Sequence, residues 1–186
     1  MTAPDKLRFF LDSEFNEHAA PFKLDPISIA LVPEDPSGKD FYGVSRDFNA
    51  AKITPWLDAN VVKHLPPADK RRTNDEIRDD MIAYLKSFAT AGKPAPAIEI
   101  WAYNGATDQV VMANFFGGLT KLREAFKAAG LPSPQFRDLK ELTRATGESL
   151  PPPENAHDCH ADALWARDLF KYLGKKLPPE RKFLLD

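Results

Sequence analysis

The sequence predicts an α/β fold, a mixed central sheet flanked by helices. Three observations point there. Short apolar segments crowd the first 45 residues, helical patterns then alternate with a further apolar segment, and the prolines gather between these segments. At 186 residues, with no internal repeat or low-complexity linker, the chain reads as one domain over 1–186.

Leu7–Phe15 (LRFFLDSEF) is short and apolar-rich, as a strand buried on both faces requires. Ile27–Val32 and Lys39–Ser45 flank the turn-like PEDPSG and read as an antiparallel hairpin beside it. Ile53–His64 reads as a short helix. Thr73 and Glu76, three residues apart, make a capping box. The helix they open places Ile77, Met81, Tyr84, Leu85 and Phe88 along one apolar stripe. Ala97–Ala102 (AIEIWA) is another buried strand, followed by a turn at Asn104–Gly105. Thr107 is the expected cap of a helix running to about Phe116. Leu119–Ala129 reads as a helix ended by Gly130 and Pro132. Phe136–Thr146 fits either a strand or a helix. Pro151–Pro153 leads into a last helix, from about Asp158 to Leu173.

Composition narrows the function. Hydrophobic residues are 43% and charged residues 28%, which excludes collagenous and mostly disordered chains. No apolar run approaches the roughly 20 residues of a bilayer span, so no membrane association is expected. Met1–Phe15 is too often interrupted by charge for a secretory signal. Cys159 is the single cysteine, which excludes an intrachain disulfide and points to a cytoplasmic location. A net charge of -2 argues against coating nucleic acid by charge alone. It leaves room for an enzyme that meets phosphate through metal ions.

Four carboxylates stand where apolar residues are expected. Asp12 and Glu14 lie two apart on a strand, so alternation points both to one side of the sheet. Chance yields roughly four acid-x-acid spacings among 27 acids in 186 residues, so the signal is the apolar strand that the pair ends. Asp108 suits the dipole of its helix, yet shares a face with Val111 and Phe115. Asp162, Ala166, Leu169 and Leu173 form one helical stripe, with no Lys or Arg one turn either side of the acid. A buried carboxylate is costly unless paired or metal-bound. His157, five residues before Asp162, would lie about 140° away on a continuous helix, so it belongs in the preceding loop or first turn. His157, Cys159 and His160 also resemble zinc ligands, but no matching cluster exists on a second element. An oxygen-rich set of acids suits hard cations such as Mg²⁺ or Mn²⁺. Two such ions, with a histidine to take a proton from water, amount to phosphodiester hydrolysis.

Asp12-Ser-Glu14, then Asp108, then His157 with Asp162 five later, resembles the ordered signature of the DEDDh 3'–5' exonucleases. The segments FLDSEF, ISIALV, FYGVS, IEIWAYNGATDQVV and NAHDCHADA are similar to a small bacterial 3'–5' exoribonuclease family related to ribonuclease T. They span Phe9 to Ala163, most of the chain. The resemblance implies a ribonuclease-H-like fold and release of nucleoside 5'-monophosphates from RNA 3' ends. It implies that Asp12, Glu14 and Asp162 hold one divalent cation, that Asp12 bridges to a second, and that Asp108 acts largely through water. It makes His157 the general base and implies a homodimer. Phe15 resembles the position that packs on the terminal nucleotide, and Trp101 and Tyr103 fall near the expected site. Asp158 and His160 offer a shifted register for the last motif, but no apolar stripe follows Asp158.

Other readings remain at this level. The same carboxylates would serve a DNA-directed exonuclease, since discrimination rests on contacts to the 2'-hydroxyl. A catalytically silent RNA-binding module would not need five costly groups. Lys70-Arg71-Arg72 is an exposed basic turn or a guide for single-stranded RNA or a 3' overhang.

Overall fold

A computed structural model describes residues 6–19, 22–90, 92 and 94–185. Its strands are β1 (Lys6–Ala19), β2 (Phe22–Pro33), β3 (Phe41–Val44), β4 (Ala97–Ala102) and β5 (Gln135–Asp138), in the spatial order β3-β2-β1-β4-β5. Its helices are α1 (Pro55–Asn60), α2 (Asn74–Lys86), α3 (Gly105–Phe115), α4 (Leu119–Ala128), α5 (Leu139–Thr146) and α6 (Cys159–Lys176). The strand pairs β1–β2 and β2–β3 are antiparallel, while β1–β4 and β4–β5 are parallel. Short turns can join the antiparallel strands. The parallel ones need crossovers, which α2 supplies before β4, and α3 with α4 before β5.

Both faces of β1 are buried, as its continuous apolar run demands. Phe9 and Leu11 enter a core with Ile29, Leu31 and Ile100, covered by Ile77, Met81 and Leu85 of α2 and by Val111, Met112 and Phe115 of α3. Phe10 enters the other core with Val32, covered by Leu139 and Leu142 of α5 and by Ala163, Ala166, Leu169 and Leu173 of α6. The apolar stripes of α2 and α6 are therefore the faces the sequence marks. The capping box is formed: Thr73 Oγ1 accepts from the Glu76 N–H, and the Glu76 carboxylate accepts from the Thr73 N–H. Phe88 lies beyond the end of α2, but its ring still packs edge-on to Phe9 at 5.0 Å.

Several boundaries differ from expectation. The helix expected over 53–64 contracts to α1 flanked by single 3-10 turns, with Pro66 and Pro67 following. Segment 136–146 is both alternatives in succession, β5 and then α5. Asp138 joins them by accepting from the Lys140 N–H and from the Asn104 N–H. Helix α3 begins at Gly105 rather than being capped by Thr107. Its N-cap, Asn104, has φ 65° and makes no side-chain cap. A Cβ at Gly105 would lie 3.1 Å from the Arg137 carbonyl oxygen, so glycine lets the first turn of α3 sit tight against β5.

Two of the three basic residues at 70–72 are tied into the fold, while Lys70 stays exposed. Arg71 Nε donates to the Pro66 carbonyl, while Arg72 pairs with Asp80 and donates to the Tyr42 carbonyl at 2.7 Å. No helix among the described residues is long and apolar enough to cross a membrane.

Candidate active site

Strand β1 delivers two acids to one end of the sheet. Asp12 stands opposite Ala30 and Glu14 opposite Ser28, and the register shifts immediately after Glu14, so that Phe15 faces Pro26. A proline cannot donate to the ladder, and a bulge there bends the pair and re-aims the side chains beyond it. Asp12 and Glu14 lie on the side of Phe10, toward α6. Ser13 points to the α3 side, with Phe9 and Leu11.

Helix α6 brings the third acid. Asp158 is its N-cap, accepting from the His160 and Ala161 N–H groups. The Cys159 thiol donates to the Asp12 carbonyl oxygen at 3.2 Å and locks the helix start onto β1. Asp162, in the first turn, accepts the backbone N–H of His157 at 2.8 Å. Oxygens of Asp12, Glu14 and Asp162 lie within 4.8 Å of one another. Asp108 approaches from α3 and accepts the Ser13 hydroxyl at 2.6 Å.

These groups line one cavity of about 730 Å³, together with Phe15, Tyr103, Asn104, Thr107, Pro152, Pro153, His157 and Trp165. That volume is within the range of about 300–1,000 Å³ typical of small-molecule sites. His157 has φ 71°, the left-handed region, in the turn before α6. Its ring is exposed and meets the Trp56 indole edge-on, centroids 4.8 Å apart. The Trp165 indole N–H donates to the Pro151 carbonyl at 2.7 Å, which pins the proline segment to the rim. Tyr103 packs edge-on against Trp165 at 5.2 Å, with Lys140 Nζ 5.3 Å from the centre of its ring.

Crowding of like charge dominates the electrostatics. Burial holds Asp12 well above the usual carboxylate range, and Asp108, Asp162 and Glu14 add to the effect. Glu14 is pushed up to about 8 by burial and then by Asp162 and Asp108. Burial raises Asp108 to about 7, against the Ser13 hydroxyl, which favours the anion. Asp162 is raised by burial, against the His157 N–H. The charges acting most strongly on Asp12 are all carboxylates, and the group Asp12, Glu14 and Asp162 could hold a cation. Hard oxygen donors at this spacing fit a hard divalent ion. Burial also pushes the Cys159 thiol up, which leaves it unsuited to be a nucleophile.

No protein-family model matches the chain. A 3'-5' exoribonuclease of Mycobacterium tuberculosis, recorded from two strains, is 33% identical over 162 residues, covering 84% of this chain and 87% of its own length. The chain belongs to this 3'-5' exoribonuclease family. Two solved structures share its fold. Cell-death related nuclease 4 superposes with a TM-score of 0.55 at 15% identity over 92% of this chain, which spans 65% of that nuclease. A full-length 3'-exonuclease superposes with a TM-score of 0.52 at 10% identity, over 92% of this chain and 84% of its own. The α/β fold is thus ribonuclease-H-like, as the strand order indicates.

Of the residues expected at the exoribonuclease site, Asp12, Glu14, Asp108, His157, Asp162, Phe15 and Tyr103 all line the cavity. Trp101 does not. It is 2% exposed, packs on Phe170 at 5.0 Å and donates toward Glu99, so it has no face to offer a base. Its strand position, buried on the α6 side, overrides its nearness in sequence to Tyr103. The shifted register is also unfavoured: Asp158 caps α6, and His160 Nε2 meets Asp40 Oδ2 at 2.9 Å. Nor do His157, Cys159 and His160 converge as zinc ligands would.

Two residues that line this cavity, Trp165 and Ser13, and one beside it, Trp56, were not expected from the sequence. Trp165 follows Asp162 by three on a helix and so shares its face. Ser13 is a polar break in the apolar series Phe9, Leu11 on the α3 side. Trp56 carries no local signal, because it reaches His157 only through the tertiary fold.

Proposed function

We propose that the protein is a metal-dependent 3'–5' exoribonuclease that hydrolyses phosphodiester bonds at RNA 3' ends and releases nucleoside 5'-monophosphates. The observation that carries this reading is the set Asp12, Glu14 and Asp162, converging within 4.8 Å in a cavity that Asp108 and His157 also line. Family membership agrees with it.

In this reading Asp12, Glu14 and Asp162 hold one divalent cation, Mg²⁺ or Mn²⁺, and Asp12 with Asp108 serves a second. Bound there, such ions supply Lewis-acid activation of water and neutralise charge at the scissile phosphate. The chain's own residues do the rest. An acidic cavity repels a polyanion, so a phosphate enters only once the carboxylates are neutralised. His157, at the exposed mouth, takes the proton of the attacking water as general base. Phe15 and Tyr103 offer aromatic faces for the terminal bases, each worth about 1–3 kcal/mol when stacked. The RNA end proposed to enter is a single strand or a 3' overhang. A homodimer is part of the same proposal and is checked by sedimentation velocity. A cytoplasmic location is part of the proposal as well, supported by the single Cys159 and checked by fractionation.

The test incubates the purified protein with 5'-labelled single-stranded RNA and matching DNA in Mn²⁺, Mg²⁺ or EDTA. The expected result is a ladder that shortens from the RNA 3' end and vanishes with EDTA. Equal shortening of DNA would replace the ribonuclease reading with a broader exonuclease. RNA that binds but never shortens would leave only a binding module.

A further inference from the structure

The acids of the site arrive from both faces of the sheet. Asp12 and Glu14 are on the α6 side of β1, where Asp162 meets them, while Asp108 comes from α3 on the other side. Asp108 is not part of the tight three-carboxylate group. Something must set its position relative to that group, and the residue in contact with it is Ser13.

Three observations bear on this contact. Ser13 is 6% exposed and follows Phe9 and Leu11 on the α3 face, so its hydroxyl is a polar group in an otherwise apolar row. A buried hydroxyl needs a partner, and this one donates to Asp108 Oδ1 at 2.6 Å. Next, β4 pairs with β1 only as far as Phe10 opposite Trp101, so β1 continues without that neighbour. Helix α3 begins three residues after β4 ends, and its first turn brings Asp108 to that open edge. Finally, Ser13 stands between the two ligand carboxylates of its own strand, so any contact it makes is referenced directly to them.

We propose that Ser13 is a positioning residue. Its hydroxyl occupies one oxygen of Asp108 and ties that acid to β1, midway between Asp12 and Glu14, so that the other oxygen serves the divalent cation. This rests on the metal-dependent reading above. Ser13 touches neither the cation nor the RNA, and acts only through Asp108.

Mn²⁺ binding measured by calorimetry, with no RNA present, tests this. Asp108→Asn first identifies the binding step that Asp108 serves. Ser13→Ala is expected to weaken that same step about 10–100-fold, the usual cost of removing a hydrogen-bond partner from a metal ligand. The step not served by Asp108 should be unchanged. Ser13→Thr, which keeps the hydroxyl, should restore wild-type binding. Ser13→Cys, of similar size but with a weak donor, should fall between and covers the case in which Ser13→Ala folds poorly. In the Asp108→Asn background, Ser13→Ala should add nothing further. A purely structural serine would lower the melting temperature in EDTA and leave the Mn²⁺ isotherm in place. Wild-type uptake of Mn²⁺ with an unchanged Ser13→Ala isotherm overturns the proposal alone. A wild-type protein that takes up no Mn²⁺ overturns the metal reading and the proposal together.

Discussion

The backbone N–H of His157 donates to Oδ2 of Asp162 at 2.8 Å, so the loop that presents the imidazole is fastened to a carboxylate of the acidic cluster by its main chain. The ring itself is left free for Trp56 and the cavity. Asparagine and glycine tolerate the left-handed φ of 71° at this position. His157→Asn and His157→Gly are therefore expected to keep the clasp, the fold and Mn²⁺ affinity. Their turnover on RNA should fall about 10²–10⁴-fold with the loss of the base. Single-turnover kinetics beside calorimetry check both halves; wild-type rates in either variant would remove His157 from its role. His157→Val should lose metal affinity as well, because a β-branched residue is strained at that φ.

Protonation of the metal-free cluster has a definite sign. Glu14 and Asp108 rise from 4.5 and 3.8 to about 8 and about 7 on folding. The folded protein therefore binds more protons than the unfolded chain between those values. The stability this contributes is fully present below about pH 4 and is lost as pH rises through 7 and 8. In EDTA the melting temperature should drop between pH 5 and pH 8.5, by about 2–4 °C for each 1 kcal/mol lost. With Mn²⁺ the drop should shrink, because a cation favours the ionised acids. Calorimetric scans at pH 5, 7 and 8.5 decide this, and a flat profile in EDTA would contradict it.

Asp12 carries the most crowded charge, and removing it should have opposite effects on activity and stability. Asp12→Asn is expected to abolish RNA shortening while raising the melting temperature in EDTA at pH 8 by a few degrees. Binding of RNA, followed by fluorescence anisotropy, should persist in part. A variant that is inactive but less stable than wild type at that pH would mean that Asp12 is not repelled by its neighbours.

The two aromatics that frame Ala102 should behave differently. Trp101 is in the core, so Trp101→Ala should cost about 3–5 kcal/mol of stability, and Trp101→Phe should leave KM near wild type. Tyr103 lines the cavity, so Tyr103→Ala should raise KM for RNA roughly tenfold with little change in melting temperature. Urea unfolding and steady-state kinetics on the same variants separate the two.

Trp56 is 53% exposed, so its loss should not threaten the fold. Edge-on aromatic pairs are worth about 0.5–1.5 kcal/mol. Trp56→Ala is accordingly expected to lower kcat/KM roughly threefold to tenfold, and Trp56→Phe to recover most of it. Equal effects of Trp56→Ala in wild type and in His157→Asn would show that the indole acts on something other than the imidazole.

Local patterns marked most of the elements and the four acids, but left 136–146 open between strand and helix. Apolar runs without alternation marked β1 and β4 as buried on both faces. The 3.6-residue stripes marked α2 and α6, and the Thr73–Glu76 box located a helix start, because periodicity and capping are local physics. Asp12, Glu14, Asp108 and Asp162 were legible as acids in apolar patterns, where burial has a cost that only pairing or a cation offsets. Tertiary structure decided what no local pattern contains. It sent Trp101 into the core and Tyr103 to the cavity, though they are two residues apart, because β4 ends between them. It tied Arg71 and Arg72 of the basic run by hydrogen bonds to Pro66 and Tyr42. It also joined Ser13 to Asp108 and Trp56 to His157 across long stretches of chain. Those contacts depend on where β4 leaves β1 and on how α1 packs near the start of α6, which are properties of the assembled sheet and its layers.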